Sequence, residues 1–249
     1  MQIYIGTSGF TLQNFYEPQV KSADKLAYYA QHFTTVEINS TFYHLPRLTT
    51  LQKWQQAVGP DFVFTFKVNQ DITHQPSYIL NQEIVNKWFE VFETFATTDK
   101  RHLMLFQFPA HLDYEEKYFK DLVALLPETF KYAFEFRNTS WFVHPVFEVI
   151  DKKQATIVIA DGPVKRNGQP RWPKFSLDSA PFTYIRMHGQ PQLYHSSYSD
   201  EKLDRCADFI LSRQKKSLAT YVYFNNDASG HAVANAQTLQ TLLEEKRHS

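Results

Sequence analysis

The segment YAFEFRNTSW, residues 132–141, begins with the period-two pattern of a β-strand. Its three aromatic positions, 132, 134 and 136, fall on one face of that strand, and Glu135 and Arg137 fall on the other. Charged side chains are rarely buried unless they are paired. We therefore expect this strand to end at a polar, partly wet centre around which the rest of the chain is wrapped.

The composition is typical of a well-packed globular protein. The chain has 249 residues, 43% of them hydrophobic, with 22 Phe, 14 Tyr and four Trp, which is ample for a sizeable core and argues against disorder. The formal net charge is zero, so we expect neither nucleic acid nor an anionic membrane as a partner. The lone cysteine, Cys206, excludes an intrachain disulfide framework and a multi-cysteine metal site.

No stretch of the sequence predicts membrane insertion or export. The start, MQIYIGTSG, lacks the basic and apolar regions of a signal peptide, and no apolar run approaches 18 residues. We expect a cytoplasmic protein without a membrane partner. The sequence leaves its oligomeric state open.

Strand and helix patterns alternate along the whole chain. Eight segments have strand patterns: 3–6, 35–39, 62–67, 103–107, the first half of 132–141, 156–161, 182–188 and 220–225. Seven helices are predicted between and after them: 24–33, one striped by Leu51, Trp54 and Val58, 81–95, one striped by Phe119, Leu122, Val123 and Leu126, one carrying Val146, Phe147 and Ile150, one bearing Leu203, Ala207, Ile210 and Leu211, and one striped by Ala232, Ala236, Leu239 and Leu243. Asp113 with Glu116 resembles a capping box, and Ser199 is the expected cap of the sixth of these helices.

Eight β–α units in a chain of this size predict a single α/β domain over residues 1–249, closed as a (β/α)8 TIM barrel. An open doubly wound sheet has the same local pattern, but the sequence has no glycine-rich dinucleotide fingerprint to support it. The exception to the alternation is 162–181, with four prolines and two glycines, which replaces or shortens the helix after strand six. Its basic and aromatic residues would form either a lid over the barrel or a solvated loop; they are Lys165, Arg166, Arg171, Trp172 and Lys174.

Polar residues concentrate at the carboxyl ends of the predicted strands, where barrel active sites lie. We assign candidate catalytic roles to Glu37, Glu135, Asp161 and His188. The candidate substrate-binding residues follow the same strand ends: Asn39, Tyr43, Lys67, His74, Gln107, Arg137, Trp141, Arg186, Asn225 and Asn226. His188 is favoured among the histidines because it lies near Arg186 and beside a glycine that would let a ligand approach. The alternative is an ion network that only fills the barrel interior.

Three chemistries fit these residues. In the first, Glu135 or Asp161 is a general acid or base, while Arg137, Arg186 and Lys67 hold a small anionic substrate such as a sugar phosphate or a nucleotide-like molecule. In the second, Glu37, Glu135, Asp161 and His188 bind a divalent metal, which we do not favour because the nearby cations already neutralise the carboxylates. In the third, Ser8 or Ser40 is a nucleophile, but neither lies in a nucleophile-elbow pattern and turn formation explains both better.

The first chemistry predicts an enzyme with a small anionic substrate and no assigned cofactor. The alternative from another class is a non-catalytic module that binds a metabolite, or single-stranded nucleic acid, through 165–174 and the loop aromatics.

Eight motifs together resemble the YecE-like family, domain of unknown function 72, over nearly the whole chain. They are IGTSGF (5–10), FTTVEINSTFYHLP (33–46), FVFTFKVNQDITH (62–74), LFQFPA (105–110), YAFEFRNTSWF (132–142), IVIADGP (157–163), YIRMHG (184–189) and YVYFNND (221–227). The resemblance implies a TIM-barrel fold and marks all fourteen candidate residues as family-pattern positions, but it supplies no reaction. Phe10 stands where a Trp is more usual, and Asn138 where a His often follows the arginine.

Overall fold

A computed structural model of the protein describes residues 2–96, 101–162, 175, 177, 179–216 and 218–248. Within these residues the strands are β1 (Ile3–Thr7), β2 (Thr35–Ile38), β3 (Val63–Lys67), β4 (Leu103–Phe108), β5 (Lys131–Phe136), β6 (Thr156–Ile157), β7 (Ile159–Asp161), β8 (Phe182–Met187) and β9 (Ala219–Phe224). The α-helices are α1 (Lys25–Tyr29), α2 (Leu48–Gln56), α3 (Gln70–Thr73), α4 (Gln82–Phe92), α5 (Glu116–Ala124), α6 (His144–Lys152), α7 (Asp200–Lys215) and α8 (Ala232–His248). Single 3-10 turns form at Ser40–Phe42, Glu93–Phe95 and Thr139–Trp141.

The strands form two sheets in which all neighbours are parallel. One sheet has the order β1-β9-β8-β7 and the other has the order β2-β3-β4-β5-β6. The predicted α/β class with parallel strands is therefore confirmed. The predicted sixth strand is divided: β6 pairs with β5, and β7 pairs with β8 in the other sheet. Between the two parts, the Val158 amide donates to the carbonyl of Phe134 at 2.9 Å, so the chain passes from one sheet to the other at a single residue.

The two sheets also meet between β1 and β2, where a single β-bridge joins Ser8 to Glu37; we call this junction the seam between β1 and β2. The hydroxyl of Tyr29 on α1 accepts from the Thr7 amide at 2.9 Å and donates to the Thr35 carbonyl at 2.9 Å. This hydroxyl thus links the backbones of two strands that belong to different sheets. Gly6 permits the approach, because a Cβ at this position would lie 2.3 Å from the carbonyl oxygen of Thr35.

The inner faces of the two sheets meet each other. The hydroxyl of Tyr223 on β9 lies 2.6 Å from the Thr35 hydroxyl on β2 and 2.8 Å from the Thr65 hydroxyl on β3. Around these groups the two sheets share one buried cluster, formed by Val63, Leu103, Leu105, Ala133, Val158, Ala160, Phe182, Tyr184, Tyr221 and Tyr223. The outer faces pack beneath the helices. There Phe134 and Phe136 contact Phe119 of α5, which confirms the predicted aromatic face of β5.

Several helix boundaries differ from the sequence prediction. Helix α5 is capped by Glu115, whose carboxylate accepts from the amides of Lys117 at 3.2 Å and Tyr118 at 2.5 Å. The capping box predicted for Asp113 is wrong, because that carboxylate instead accepts from the side-chain amide of Asn138 at 2.9 Å.

Two further helices depart from the prediction, and one predicted feature lies outside the described residues. Ser199 precedes α7 as predicted but makes no side-chain capping bond. Helix α3 was not predicted, since four residues are too few to show a helical period. The predicted lid residues 165–174 lie outside the part of the chain that the structure describes. Over the described residues, we find no helix with the length and apolar character that a membrane span requires.

Candidate functional site

A buried ion cluster lies where the two sheets face each other. Arg186 on β8 is 1% exposed and donates through Nη2 to Oε1 of Glu37 at 2.7 Å and through Nη1 to Oε2 of Glu135 at 2.5 Å. The remaining oxygen of Glu135 accepts from Nε of Arg137 at 2.7 Å. Glu37 also accepts from the hydroxyls of Ser8 at 2.7 Å and Tyr184 at 2.6 Å. Every one of these bonds satisfies a carboxylate that would otherwise be costly to bury.

The period of two explains why these side chains meet. Glu135 and Arg137 extend from the same face of β5 and its continuation, and Tyr184 and Arg186 extend from the same face of β8. Those faces are the inner ones, so residues from opposite sheets come into hydrogen-bonding distance.

The pKa values of Glu135 and Arg186 both favour the charged forms of these two groups. Burial alone would raise the pKa of Glu135, but Arg186 and Arg137 hold that pKa well below its ordinary value. Burial alone would lower the pKa of Arg186, and the carboxylates of Glu37 and Glu135 raise it instead. A carboxylate stabilised in this way is a weak proton acceptor. Glu135 is therefore suited to holding Arg186 and Arg137 and not to acid–base catalysis.

His188 lies beside the cluster and is fully buried. Its Nδ1 lies 3.1 Å from the amide nitrogen of Asn225, and its Nε2 lies 3.8 Å from Oε2 of Glu135. Burial, together with the positive charge of Arg186, lowers the pKa of His188 to about 4. The imidazole is thus neutral at pH 7. Because Nδ1 accepts from the amide, Nε2 carries the hydrogen that faces Glu135.

Above the cluster is an open cavity of about 350 Å³. Its walls come from the carboxyl ends of strands in both sheets and from the loops that follow them. The lining residues are Asn39, Phe42, Tyr43, Lys67, His74, Gln107, Arg137, Arg186, Tyr194 and Asn225. Eight of these ten were predicted from the sequence as substrate-binding residues, and the structure brings those eight together.

Lys67, the last residue of β3, is a partly buried lysine of the cavity wall. Its Nζ lies 3.7 Å from the centre of the Phe42 ring, a cation–π contact. Burial and the charges of Arg186 and Arg137 lower the pKa of Lys67 to about 7, although Glu135 and Glu37 oppose the shift. The amine therefore exchanges a proton near neutral pH.

Besides Lys67, Arg137 and Arg186, the lining includes polar groups that carry no charge at pH 7. Burial and the neighbouring Lys67 lower the pKa of His74 to about 4, and its Nδ1 lies 2.9 Å from the Thr73 hydroxyl. Asn39, Gln107 and Asn225 add side-chain amides, each of which can donate and accept hydrogen bonds. The cavity thus offers cations and neutral hydrogen-bonding groups together.

The structure does not bring Asp161 into this cavity. Ala160 is in register with Arg186, whereas Asp161 is in register with Met187, so its side chain lies on the outer face of β7. There its carboxylate lies 2.9 Å from Nζ of Lys202 on α7. The position of Asp161 therefore corrects the prediction that it shares the polar centre, and we assign it no role there.

Trp141 and Asn226 also lie outside the cavity lining. Trp141 is fully buried against Phe136, with ring centres 4.7 Å apart, and its indole nitrogen donates to the carbonyl of Leu112 at 2.9 Å. Asn226 is fully buried and donates to Oδ1 of Asn235 at 2.8 Å. Both side chains hold neighbouring segments in place, and their predicted roles in substrate binding are corrected accordingly.

The glycine after His188 has a different role from the one the sequence suggested. Gly189 has a φ of +90°, and a Cβ there would lie 3.0 Å from the carbonyl oxygen of Gln192. The residue therefore allows a tight turn, for which only glycine is unstrained. It does not line the cavity.

Tyr184 belongs to the ion cluster but was not among the predicted residues, although it lies two positions before Arg186 and the period of two could have identified it. Phe42 and Tyr194 also line the cavity. No sequence pattern separates these loop aromatics from aromatics that pack in the core. Ser8, considered earlier as a nucleophile, donates its hydroxyl to Glu37 and so has a positioning role.

The carboxylates and histidines of the cluster differ in arrangement from the ligands of a metal site. Among the described residues, no group of three or more His, Cys, Asp or Glu side chains is arranged to hold a metal ion. The oxygens of Glu37 and Glu135 already accept from Arg186, Arg137, Ser8 and Tyr184.

Together these features define an α/β protein of parallel sheets, with a buried ion cluster beneath a polar cavity at the carboxyl ends of the strands. The chain belongs to the family described as "Protein of unknown function DUF72", whose model matches residues 4–249. The family resemblance noted in the sequence is thereby confirmed.

Named relatives and solved structures agree with this membership. The UPF0759 protein YunF of Bacillus subtilis (strain 168) is 25% identical in an alignment 272 residues long. The alignment covers 97% of this chain and 95% of that protein. The UPF0759 protein YecE of Escherichia coli (strain K12) is 28% identical over 146 residues, which cover 56% of this chain and 50% of that protein. The crystal structure of the DUF72 family protein TM1631 from Thermotoga maritima MSB8 has a TM-score of 0.83 at 25% identity and covers 98% of this chain and 100% of its own.

A second solved structure, the DUF72 family protein EF0366 from Enterococcus faecalis V583, superposes with a TM-score of 0.82 at 21% identity. It covers 98% of this chain and 96% of its own. At this identity the likeness concerns the fold alone.

Proposed function

We propose that the cavity is the active site of an enzyme that binds a small anionic polar molecule and transfers a proton within it. The observation that carries the proposal is the arrangement of charge around the cavity. Lys67 and Arg137 both line it, while the carboxylates of Glu37 and Glu135 beneath them bind Arg186. An anion in the cavity would therefore meet cations before it met a carboxylate.

The two sheets, in this proposal, act as one eight-stranded TIM barrel with β6 and β7 as the two parts of a single strand. Support comes from the hydroxyl of Tyr29, which links β1 to β2, and from the passage of the chain through Val158. The proposed site then lies where barrel enzymes keep their catalytic groups, at the carboxyl ends of the strands.

Each lining residue has a distinct role in this proposal. Arg137 binds the anionic group, with a guanidinium that is already oriented by Glu135. Asn39, Gln107 and Asn225 orient hydroxyl or carbonyl groups of the substrate.

Lys67 is the group of the cavity wall that can give or take a proton beside the substrate, since its pKa of about 7 lies near neutral pH. Glu37 and Glu135 position Arg186, His188 lies beside Glu135, and none of the three reacts. With its single cysteine the chain can form no intrachain disulfide, and we place the enzyme in the cytoplasm on that composition alone.

Ligand-induced stabilisation tests the proposal. We expect ribose 5-phosphate to raise the melting temperature of the protein, whereas ribose, which lacks the anionic group, leaves it unchanged. Calorimetric titration should show that Arg137→Gln weakens the affinity for ribose 5-phosphate by about 10- to 100-fold, the range for loss of a charge-assisted hydrogen bond. The control is Arg205→Gln, an exposed arginine on α7, which should bind as the unaltered protein does.

The proposal is contradicted if ribose stabilises the protein as much as ribose 5-phosphate, or if Arg137→Gln binds without loss. Conversion of bound phosphorylated sugars is followed by ³¹P and ¹³C spectra. Binding without conversion across a panel of sugar phosphates and nucleotides would contradict the enzymatic part and leave a metabolite-binding protein.

A further inference from the structure

Lys67 differs from two other partly buried lysines, Lys202 and Lys153. Nζ of Lys202 lies 2.9 Å from a carboxylate oxygen of Asp161, and Nζ of Lys153 lies 2.6 Å from a carboxylate oxygen of Glu128. No carboxylate of the described residues lies within ion-pair distance of Lys67, whose Nζ instead lies over the ring of Phe42 at 3.7 Å. An amine in such a place is available for covalent chemistry.

The surroundings of Lys67 favour the neutral amine, which is the nucleophilic form. The carboxylates of Glu37 and Glu135 accept hydrogen bonds from Arg186, and neither lies within ion-pair distance of the Lys67 amine. Burial lowers the pKa of Lys67, and the neighbouring cations Arg186 and Arg137 add to that effect, so that the pKa falls to about 7. The neutral amine is then accessible near neutral pH.

We propose that Lys67 is a nucleophile that forms a Schiff base with the carbonyl carbon of an anionic aldehyde or ketone bound in the cavity. This inference rests on the proposed function, because Arg137 supplies the anion contact that brings the carbonyl to the amine. It deepens that function by naming the substrate class: small carbonyl compounds that carry a phosphate or a carboxylate.

Formation of the Schiff base is a condensation of the Lys67 amine with the carbonyl group, and it releases one water molecule. The lone pair of Nζ attacks the carbonyl carbon, the C–N bond forms, and the electron pair of the C=O double bond moves to oxygen. One proton passes from nitrogen to that oxygen, giving a carbinolamine. A second proton, from solvent in the open cavity, lets the hydroxyl leave as water while the nitrogen lone pair forms the protonated C=N bond.

The cavity wall suits both ends of such a substrate. Arg137 binds the anionic group, and the amides of Asn39, Gln107 and Asn225 can hold the oxygen of the carbinolamine. The Phe42 ring supports the lysine stem and favours the cationic Schiff base once it has formed, since the ring attracts a positive charge on its face.

Reductive trapping tests the proposal with glyceraldehyde 3-phosphate as the probe. The protein is incubated with a limiting amount at pH 7, reduced with sodium borohydride, and analysed by intact mass and by peptide mapping. We expect one adduct per chain, located on Lys67, formed at least 10-fold faster than adducts on other lysines. Its rate should rise through pH 7, and orthophosphate should slow it by competing for Arg137.

Three variants serve as controls. Lys67→Met and Lys67→Arg should both lose the fast adduct, and the arginine variant retains the positive charge without a nucleophilic amine. Lys202→Met should keep the fast adduct, because its amine pairs with Asp161 outside the cavity. Circular dichroism establishes that each variant is folded.

The proposal is overturned if Lys67 is labelled no faster than surface lysines, or if Lys67→Arg keeps the fast adduct. A second measurement separates this failure from failure of the anion site. If orthophosphate and ribose 5-phosphate still raise the melting temperature while Lys67 is not labelled, the Schiff base is excluded and the anion site stands. If neither anion stabilises the protein, the proposed function itself is contradicted.

Discussion

Arg186 on β8 and Glu37 on β2 form an ion pair of 2.7 Å across the two sheets, with side chains 1% and 0% exposed. Arg186 also binds Glu135, so its removal would leave two buried carboxylates without their shared cation. We expect Arg186→Met to lower the free energy of unfolding by about 3–5 kcal/mol, the range for breaking a buried ion pair on one side. Urea denaturation followed by circular dichroism measures the loss.

The control for this substitution is Arg205→Met on α7, where an exposed arginine pairs with Glu201. Such exposed pairs contribute little, so we expect a change below about 1 kcal/mol. Equal stabilities of the two variants would show that the ion cluster does not hold the sheets together.

The buried imidazole of His188 makes stability depend on pH. Its folded-state pKa of about 4 lies below the ordinary value of about 6.5, so the unfolded chain takes up the proton first as the pH falls. The contribution of His188 to the free energy of unfolding is therefore fully present above pH 6.5. It is lost as the pH falls towards 4, by about 1.4 kcal/mol per pH unit at most. Urea unfolding at pH 7, 6 and 5 should show this decline.

His188→Gln should reduce the slope of the free energy of unfolding against pH. It should not abolish that slope, because His74 also has a lowered pKa. His195→Gln, at an exposed histidine, is the matched control and should retain the slope of the unaltered protein. If His188→Gln retains the full slope, the neutral buried imidazole is not the source of the pH dependence.

The alternation of side chains explains how much of the site was predictable. Glu135 and Arg137 share a face opposite an aromatic one, so the sequence alone shows that this polar face must meet other polar groups. Asp161 could not be placed in this way. The segment before it, TIVIA, is apolar on both faces, and only the pairing of Ala160 with Arg186 reveals that Asp161 lies on the outer side.

Other features could not be predicted because contacts between residues distant in the sequence determine them. Trp141 and Tyr194 both follow strands and look alike in the sequence, yet the first stacks on Phe136 in the core and the second lines the cavity. The division of the sixth strand at Val158 is also invisible in the sequence, because neither β6 nor β7 differs from a continuous strand in its pattern.

Tyr223 tests the contact between the inner faces. Its hydroxyl lies within hydrogen-bonding distance of Thr35 and Thr65, both in the other sheet. Tyr223→Phe removes that hydroxyl and leaves the buried threonine hydroxyls with one partner fewer. We expect the free energy of unfolding to fall by about 1–3 kcal/mol, measured in urea.

Tyr43→Phe provides the comparison, because Tyr43 is 60% exposed and its hydroxyl is open to water. This variant should be as stable as the unaltered protein. If the free energy of unfolding falls by the same amount in the two variants, the Tyr223 hydroxyl contributes nothing specific to the junction of the sheets.

Gly6 tests the seam between β1 and β2. A methyl group at this position would lie 2.3 Å from the Thr35 carbonyl oxygen and 2.9 Å from the Tyr29 hydroxyl, which are the groups that link the two strands. Because the backbone of β2 is held on its other side by β3, it cannot move away freely. We expect Gly6→Ala to lower the free energy of unfolding by about 1–3 kcal/mol, the usual cost of overpacking.

Gly59→Ala is the matched control, since a Cβ at Gly59 meets no atom within 4 Å. That substitution should leave stability unchanged or raise it slightly, because it restricts only the unfolded chain. Amide hydrogen exchange adds a local readout. In Gly6→Ala the Thr7 amide, which donates to the Tyr29 hydroxyl, should exchange faster than in Gly59→Ala. Equal exchange rates and equal stabilities in the two variants would show that β1 and β2 are not in close contact at this seam.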